Sequence, residues 1–285
     1  MGDIDIEHLR QWIGRVERQA DVITRGLVDR FHATLGASAF RQAGEAPLAI
    51  HWCLSPPAVG PDALGPDGHP ARGGFLPPVS LPRRMWAGGQ LDLLSPLPVG
   101  AEVTRVSRIA DVVHKAGRSG DLVFVTLDHA IECDGRTAVR ERQDIVYRAA
   151  AGPGAPTAGE TPGPSPIEPR KPELSETIEA TTTLLFRYSA LTFNGHRIHY
   201  DVDYARQAEG YPGLVVHGPL QATLMLHLAA RISGGRAPNG FAYRGVSPLF
   251  HGAPFTVNAV KTDEGLDLWC ADSTGCPTMT AKAMF

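Results

Sequence analysis

Cysteine is scarce in this 285-residue chain, and its four cysteines form no Cys-x-x-Cys pair. A cysteine-based metal or disulfide framework is therefore not expected, and reduced thiols in a cytoplasmic protein fit better. No run of 18 apolar residues and no basic-then-apolar leader occurs, so we expect neither a membrane span nor export. A strong charge of one sign is also missing. The formal net charge of −3 gives no electrostatic reason to expect nucleic-acid binding.

Proline, in contrast, is concentrated in one segment that divides the chain. Residues 149–172 contain seven prolines and no aliphatic cluster, a composition typical of a semi-extended spacer. We therefore predict a first half at residues 1–148 and a second half at residues 173–285, joined by this linker. With 43% hydrophobic residues, the chain can build a full core.

The two halves share a short internal repeat. Residues 95–104, SPLPVGAEVT, and residues 247–256, SPLFHGAPFT, are identical at six of ten positions. Each copy is followed by three segments rich in Val, Ile, Thr and Phe, separated by glycine-containing turns, which is typical of antiparallel strands. The predicted strands are residues 103–110, 122–133 and 137–148, and residues 255–261, 265–272 and 278–285. The repeat therefore indicates a duplicated domain.

Helical patterns are fewer than strand patterns. Apolar residues recur at helical spacing over residues 6–20, and a second helix is predicted over residues 22–35 with Gly36 as its stop. The most apolar helix covers residues 219–232, with proline at its first position, and should be buried. Residues 178–186 are predicted to be the opening strand of the second half. We expect an α+β fold in which two antiparallel sheets each wrap a central helix.

The densest group of reactive side chains is in residues 193–201, FNGHRIHYD. His199 can accept and return a proton near neutral pH. Asn194 cannot be a base, but its amide can hold a water molecule. Gly218 precedes Pro219 at the predicted start of the long helix, where free backbone N–H groups can bind a developing negative charge. A base, a water-holding amide and an oxyanion site together suit the addition of water next to a carbonyl.

Structural roles remain open for these residues. A lone histidine is more often structural than catalytic, and Gly218 could be an ordinary helix cap. His217 fits an orienting role better than that of a second base, and His196 could line the site or face solvent.

The segment from Tyr188 to Leu220 resembles the hydration motif of the MaoC-like hydratases of the hotdog superfamily. That motif is Asp-x-Asn-Pro-x-His-x-Asp, followed by a His-Gly helix start. The resemblance places the family's catalytic Asp at Asn194, its catalytic His at His199, its final Asp at Asp201 and its oxyanion glycine at Gly218. Asn in place of Asp departs from most of the family and leaves His199 as the base.

Two segments, TFNGHRIHYD and GYPGLVVHGPL, are similar to one subgroup in particular. It contains mesaconyl-C4-CoA and itaconyl-CoA hydratases and the type 2 mitochondrial 3-hydroxyacyl-thioester dehydratases. Residues 81–89, LPRRMWAGG, look like the first half of that subgroup, which has lost the catalytic residues. The resemblance implies a double hotdog fold that acts on an acyl-CoA with no metal and no redox cofactor.

We therefore expect a cytoplasmic enoyl-CoA hydratase that converts a short branched dicarboxylyl-CoA, itaconyl-CoA or mesaconyl-C4-CoA, to citramalyl-CoA. The free carboxylate of such a substrate needs a cation, and arginine binds carboxylates bidentately. Arg83, Arg84 and Arg197 are the candidates, with His196 and His217 as further candidate substrate contacts. One active site per chain is expected near the junction of the halves.

Other functions remain open at this stage. The same residues could run the dehydration of longer 3-hydroxyacyl thioesters in fatty-acid synthesis. A non-catalytic acyl-CoA-binding hotdog protein or a thioesterase would share the fold. Two hotdog halves in one chain can imitate the dimer of single-hotdog relatives, so either a monomer or a homodimer is expected.

Overall fold

The computed structural model describes residues 4–117, 120–149 and 171–285. Most of the proline-rich segment predicted as a linker lies outside these described residues. The described first half contributes the strands β1 (Val16–Val22), β2 (Arg83–Leu93), β3 (Glu102–Gly117), β4 (Gly120–Cys133) and β5 (Arg136–Arg148). The second half contributes the strands β6 (Leu174–Glu179), β7 (Gly240–Gly245), β8 (Pro254–Thr262), β9 (Gly265–Ala271) and β10 (Pro277–Met284).

These strands form one antiparallel sheet in the order β1-β3-β4-β5-β2-β7-β10-β9-β8-β6. The order within the second half is the reverse of that within the first, so the two halves are related by a pseudo-twofold arrangement. They meet where β2 pairs with β7, with Gly88 opposite Arg244 and Gly89 opposite Tyr243. The α+β double hotdog fold is confirmed, with its two five-stranded sheets joined edge to edge.

The internal repeat makes the same backbone contacts in both halves. Residues 94 and 95 donate their backbone N–H groups to the carbonyl oxygen of Ala138 on β5. Residues 246 and 247 donate theirs to the carbonyl oxygen of Thr278 on β10. Each repeat copy then leads into a long strand, β3 or β8. The sequence identity therefore marks a structural duplication.

The described helices are α1 (Ile6–Arg10), α2 (Arg25–Leu35), α3 (Thr182–Thr192), α4 (Val202–Gln207) and α5 (Gly218–Ile232). The predicted helices at α2, with Gly36 as its C-cap, and at α5 are confirmed. No helix in the described ranges is both long and apolar enough to cross a membrane.

Two local predictions were wrong. The helix predicted over residues 6–20 ends at Arg10, because residues 16–22 pair with β3 as a strand and this pairing overrides helical spacing. The strand predicted over residues 178–186 ends at Glu179. The hydroxyl of Thr181 accepts the backbone N–H of Leu184 at 3.1 Å and starts α3 instead.

The halves differ in what packs against their sheets. The long helix α5 has eleven buried residues and contacts β8, β9 and β10. In the first half, the described residues 36–82 between α2 and β2 contain only short 3-10 turns, such as Ile50–Cys53. A helix of the length of α5 is therefore present against the second sheet, whereas the corresponding face of the first sheet is partly open to a cavity.

Candidate active site

A cavity of about 1650 Å³ is lined by both halves of the chain. Its second-half wall includes Asn194, His199 and Gly218, the three residues that the sequence predicts for catalysis. Its first-half wall includes Arg84 from β2 and His69 from the preceding loop. The structure thus brings the catalytic candidates together at the junction of the halves.

His199 is held as a neutral imidazole in the cavity wall. It ends a 3-10 turn, is 6% exposed, and its Nδ1–H donates to the backbone oxygen of Val215 at 2.7 Å. Because a carbonyl oxygen can only accept, this bond places the proton on Nδ1 and leaves a lone pair on Nε2. Burial, then the neighbouring His217 and His196, lowers the pKa of His199 well below its ordinary value. The imidazole is therefore neutral, and the lone pair of its Nε2 atom is free of hydrogen bonds to the described residues.

The ring of His217 stacks on the ring of His199. The two imidazoles stack with their centroids 3.6 Å apart and their planes 19° apart. The Nε2 atom of His217 lies 2.8 Å from the hydroxyl of Ser189 on α3. Burial lowers the pKa of His217 to about 3, so two neutral rings face each other. His217 is thus placed to orient His199.

Asn194 presents its amide N–H groups. It follows Phe193, whose left-handed conformation (φ 51°) ends α3 and turns the chain into the site. The Asn194 Oδ1 atom accepts the backbone N–H of His196 at 2.9 Å, which identifies Oδ1 as the acceptor. The Nδ2 group has no partner among the described residues and can donate to a water molecule or to the substrate.

Gly218 is the first residue of α5, and Pro219 follows it. The first N–H groups of a helix have no intrahelical partner and lie at its positive end. A Cβ atom at Gly218 would meet only the Met279 Cε atom at 3.5 Å and the Trp86 backbone oxygen at 3.9 Å, which are ordinary contacts. The helix start therefore offers a backbone donor to the cavity without steric strain.

The first half inserts a loop into the site, and the sequence analysis missed it. Gly68 and Gly195 approach so closely that a Cβ atom at Gly195 would lie 2.7 Å from the Gly68 oxygen. This contact places the His69 ring 4.3 Å from the His196 ring. The residues 66–70, PDGHP, signal a turn in the sequence. They carry no signal that the turn reaches a partner more than 120 residues away.

This loop also brings together atoms that can act as metal ligands. Asp67, His69 and His196 each offer one ligand atom, and these atoms lie within 4.8 Å of one another. The Asp67 Oδ2 atom is 3.2 Å from His69 Nδ1, and His196 Nε2 is 3.6 Å from Glu209 Oε1. Burial, then the charge of Arg84, lowers the pKa of His69 to about 3. The same atoms could hydrogen-bond a polar ligand.

The three candidate arginines have different surroundings. Arg83 is buried and engaged, with its Nε atom 3.7 Å from Glu209 Oε2 and an Nη2–H that donates to the Glu209 backbone oxygen. Arg197 forms a 2.8 Å ion pair with Asp201 and is not part of the cavity wall. Arg84 lines the cavity and has no hydrogen bond or ion pair within the described part of the chain. The geometry therefore favours Arg84 as the cation for a bound anion.

Comparison with known proteins gives consistent matches. Residues 49–251 match the family model described as hydroxyacyl-thioester dehydratase type 2. The chain is 42% identical over 274 residues to the mesaconyl-C(4)-CoA hydratase of Chloroflexus aurantiacus, and the match covers 95% of each protein. It is 37% identical over 100 residues to the mitochondrial hydroxyacyl-thioester dehydratase type 2 of Schizosaccharomyces pombe, which covers 34% of this chain and 32% of that protein.

Solved structures agree on the fold. The MaoC-like dehydratase of Phytophthora capsici superposes with a TM-score of 0.72 at 13% identity, covering 99% of this chain and 98% of that one. A Mycobacterium tuberculosis protein with a double hotdog fold gives a TM-score of 0.56 at 12% identity, covering 95% and 96% of the two chains. The family match and the 42% identity over 95% of the chain show that the chain belongs to the hydroxyacyl-thioester dehydratase type 2 family of MaoC-like proteins and is a hydro-lyase of acyl thioesters, and the solved structures agree with its double hotdog fold.

Proposed function

We propose that this enzyme hydrates a short branched dicarboxylyl-CoA, mesaconyl-C4-CoA or itaconyl-CoA, to citramalyl-CoA. The similarity to a mesaconyl-C(4)-CoA hydratase over 95% of the chain supports this choice. The structural observation that carries it is Arg84 in the wall of the cavity, which forms no hydrogen bond or ion pair with the described residues although its charge also acts on the Asp67 carboxylate. In both substrates the free carboxylate is on the carbon that receives the hydroxyl group, so its cation must lie near the base.

Arg84 lies in the same cavity wall as His69 and the proposed base. Its charge also contributes to the lowered pKa of His69. The His69 ring is 4.3 Å from the His196 ring, and the His196 ring is 5.5 Å from that of the base, His199. A carboxylate held by Arg84 would therefore lie in the same cavity as His199.

For mesaconyl-C4-CoA, whose C=C bond is conjugated with the thioester, the proposed reaction begins with polarisation of the enoyl thioester. The carbonyl oxygen accepts the Gly218 N–H at the positive end of α5, which draws electron density from the β-carbon. The Nε2 atom of His199 takes a proton from a water molecule held by the Asn194 amide, and the hydroxide adds to the β-carbon. For mesaconyl-C4-CoA, the imidazolium of His199 then returns a proton to the α-carbon, so that one water molecule has been added in total.

The experiment compares mesaconyl-C4-CoA, itaconyl-CoA and crotonyl-CoA, which lacks the second carboxylate. Product formation is followed by chromatography for the wild type and for Arg84→Gln. A hydrogen-bonded ion pair is worth about 1.5–3 kcal/mol, so kcat/KM for the dicarboxylyl substrates should fall roughly 10- to 150-fold in the variant. The value for crotonyl-CoA should change little.

Arg108→Gln is the matched control, because Arg108 is an exposed arginine on β3 that pairs with Asp128 at 2.7 Å. Equal losses for all three substrates in Arg84→Gln would show that Arg84 binds the CoA part or supports the fold. A wild-type enzyme that prefers crotonyl-CoA over both dicarboxylyl substrates would refute the proposal.

The family match favours a second candidate, the dehydration of longer 3-hydroxyacyl thioesters. Adding trans-2-decenoyl-CoA to the same panel tests it. A higher kcat/KM for this C10 substrate than for mesaconyl-C4-CoA would favour the dehydratase of fatty-acid synthesis.

A further inference from the structure

One row of side chains on the first-half sheet is polar where the second-half sheet is apolar. Ser107 on β3 lies opposite His129 on β4, and His129 lies opposite Glu141 on β5. We call these three residues the polar belt. All three line the cavity that contains His199. The belt was not singled out by the sequence analysis, and the proposed chemistry does not use it.

The internal repeat identifies the equivalent row in the second half. Its members are Ala259, Leu268 and Ala281, which lie opposite one another on β8, β9 and β10. Ala259 follows Ser107 by 152 residues, which is also the spacing of the two repeat copies. All three are buried in the core cluster that includes α5. At equivalent positions, the second half therefore has buried apolar side chains, whereas the first half has hydrogen-bonding side chains.

The belt is held by its own hydrogen bonds. The Nδ1 and Nε2 atoms of His129 lie 2.8 Å from Ser107 Oγ and 3.0 Å from Gln143 Oε1. The Glu141 Oε1 atom accepts the indole N–H of Trp52 at 3.0 Å. Glu141 is only 6% exposed, and these partners hold it in one arrangement. This row of the wall is polar and held in place, whereas its neighbours Leu127 and Ile131 on β4 are apolar.

Two aromatic rings connect the belt with the start of α5. The Trp86 backbone oxygen is 3.9 Å from the Cβ position of Gly218. The Trp86 ring meets the Trp52 ring edge-on, with their centroids 5.1 Å apart, and Trp52 donates to Glu141. Trp86 therefore lies between the start of α5 and Trp52, the hydrogen-bond partner of the belt residue Glu141.

We propose that the polar belt is the end wall of the acyl-binding part of the cavity and that it restricts the enzyme to short acyl groups. Each methylene buried against apolar protein normally strengthens binding about fourfold. Against an ionised carboxylate and a hydrogen-bonded imidazole this gain is lost, because the chain would also displace water from polar atoms. The inference rests on the proposed function only in taking an acyl thioester as the ligand. It adds the length of the acyl group that the cavity accepts.

The first test needs no variant. Dissociation constants of butyryl-, hexanoyl-, octanoyl- and decanoyl-CoA are measured by calorimetry on the wild-type protein. We expect the affinity to stop increasing beyond the C6 chain. A steady gain of about fourfold per methylene from C4 to C10 would overturn the proposal.

The second test replaces one belt residue with the residue at the equivalent position of the second half. His129→Leu introduces the side chain found at the equivalent Leu268, and the affinity ratio of decanoyl- to butyryl-CoA should rise at least tenfold. His114→Leu is the matched control, because His114 is also on β3–β4, pairs with Asp121 at 2.8 Å, and does not line the cavity. The affinity ratio of decanoyl- to butyryl-CoA in His114→Leu should stay at the wild-type value.

The outcomes separate this inference from the proposed function. A change of equal size for butyryl- and decanoyl-CoA in His129→Leu would show that the belt acts on the CoA part or on the fold, and would overturn the inference. If the wild type shows the expected limit near C6 but does not hydrate mesaconyl-C4-CoA or itaconyl-CoA, the proposed substrate is wrong while the length limit is supported.

Discussion

The two halves of this chain have the same strand connectivity and the same repeat contacts, but they contribute different residues to one candidate site. The second half supplies the proposed base His199, the amide of Asn194 and the helix start at Gly218. The first half supplies Arg84, the loop that carries His69, and the sheet face that bounds the cavity. Duplication thus preserved the backbone, while the side chains facing the centre of each sheet diverged.

The absence of a long helix in the described first half has a local cause. Residues 36–82, which connect α2 with β2, contain nine prolines. Proline removes a backbone donor and clashes with the preceding helical turn, so this segment cannot form a helix like α5. The concave face of the first sheet is therefore incompletely covered, and a ligand can occupy part of the space.

The largest expected effect tests which half supplies the base. His199→Ala should lower kcat by roughly 10²–10⁴-fold, the usual contribution of general acid–base catalysis. His114→Ala, a histidine substitution on the first-half sheet outside the cavity, should leave kcat unchanged. Steady-state kinetics with circular dichroism as a folding check measure both. If folded His199→Ala retained more than half of the wild-type turnover, His199 would not be the base.

A smaller loss is expected at Asn194. Asn194→Ala should reduce kcat by roughly 10²-fold and change KM less, because misplacing the attacking water affects the chemical step. Asn194→Asp restores the residue of the family motif and should keep measurable activity. An inactive, well-folded Asp variant would mean that the N–H groups of the amide are required.

Acid sensitivity tests the contact between the halves at His227. This buried residue of α5 accepts the backbone N–H of Phe40 at 2.9 Å and donates to the Leu48 oxygen at 3.0 Å. Burial lowers its pKa to about 4, whereas an unfolded imidazole has a pKa of about 6.5. Between these values the unfolded state binds a proton that the folded state does not, so stability falls as the pH falls.

His227→Gln can keep both hydrogen bonds but cannot titrate. The slope of unfolding free energy against pH between pH 6 and 4.5 should therefore decrease by up to about 1.4 kcal/mol per pH unit, the limit for one proton. Urea titrations at several pH values measure the slope independently of the absolute stability. An unchanged slope would show that His227 does not take up a proton on unfolding.

The smallest effect tests the equivalence of the repeat copies. Gly100 and Gly252 occupy the same repeat position with φ of 94° and 93°, and neither has an atom within 4 Å of its Cβ position. Alanine at either site should cost about 1 kcal/mol of unfolding free energy, because only the backbone is strained. Chemical denaturation should give two similar values. A difference above 1 kcal/mol would show that the turns are not equivalent.

Local patterns in the sequence were sufficient for much of this protein. The repeat, the strands that follow each copy and the start of α5 were predicted, because side-chain alternation and a proline at a helix start are properties of neighbouring residues. The same holds for the grouping of Asn194 and His199 in one loop, since they are five residues apart. The family motif supplied their expected roles.

Only the tertiary structure decided the features that depend on distant residues. Residues 16–22 are a strand because β3 pairs with them, and the proton position on His199 follows from the Val215 carbonyl. The contact of Gly68 with Gly195, the unpaired state of Arg84 and the polar belt likewise join segments that are far apart in the chain. A sequence pattern records the preferences of neighbours, whereas these contacts exist only after the two halves have folded against each other.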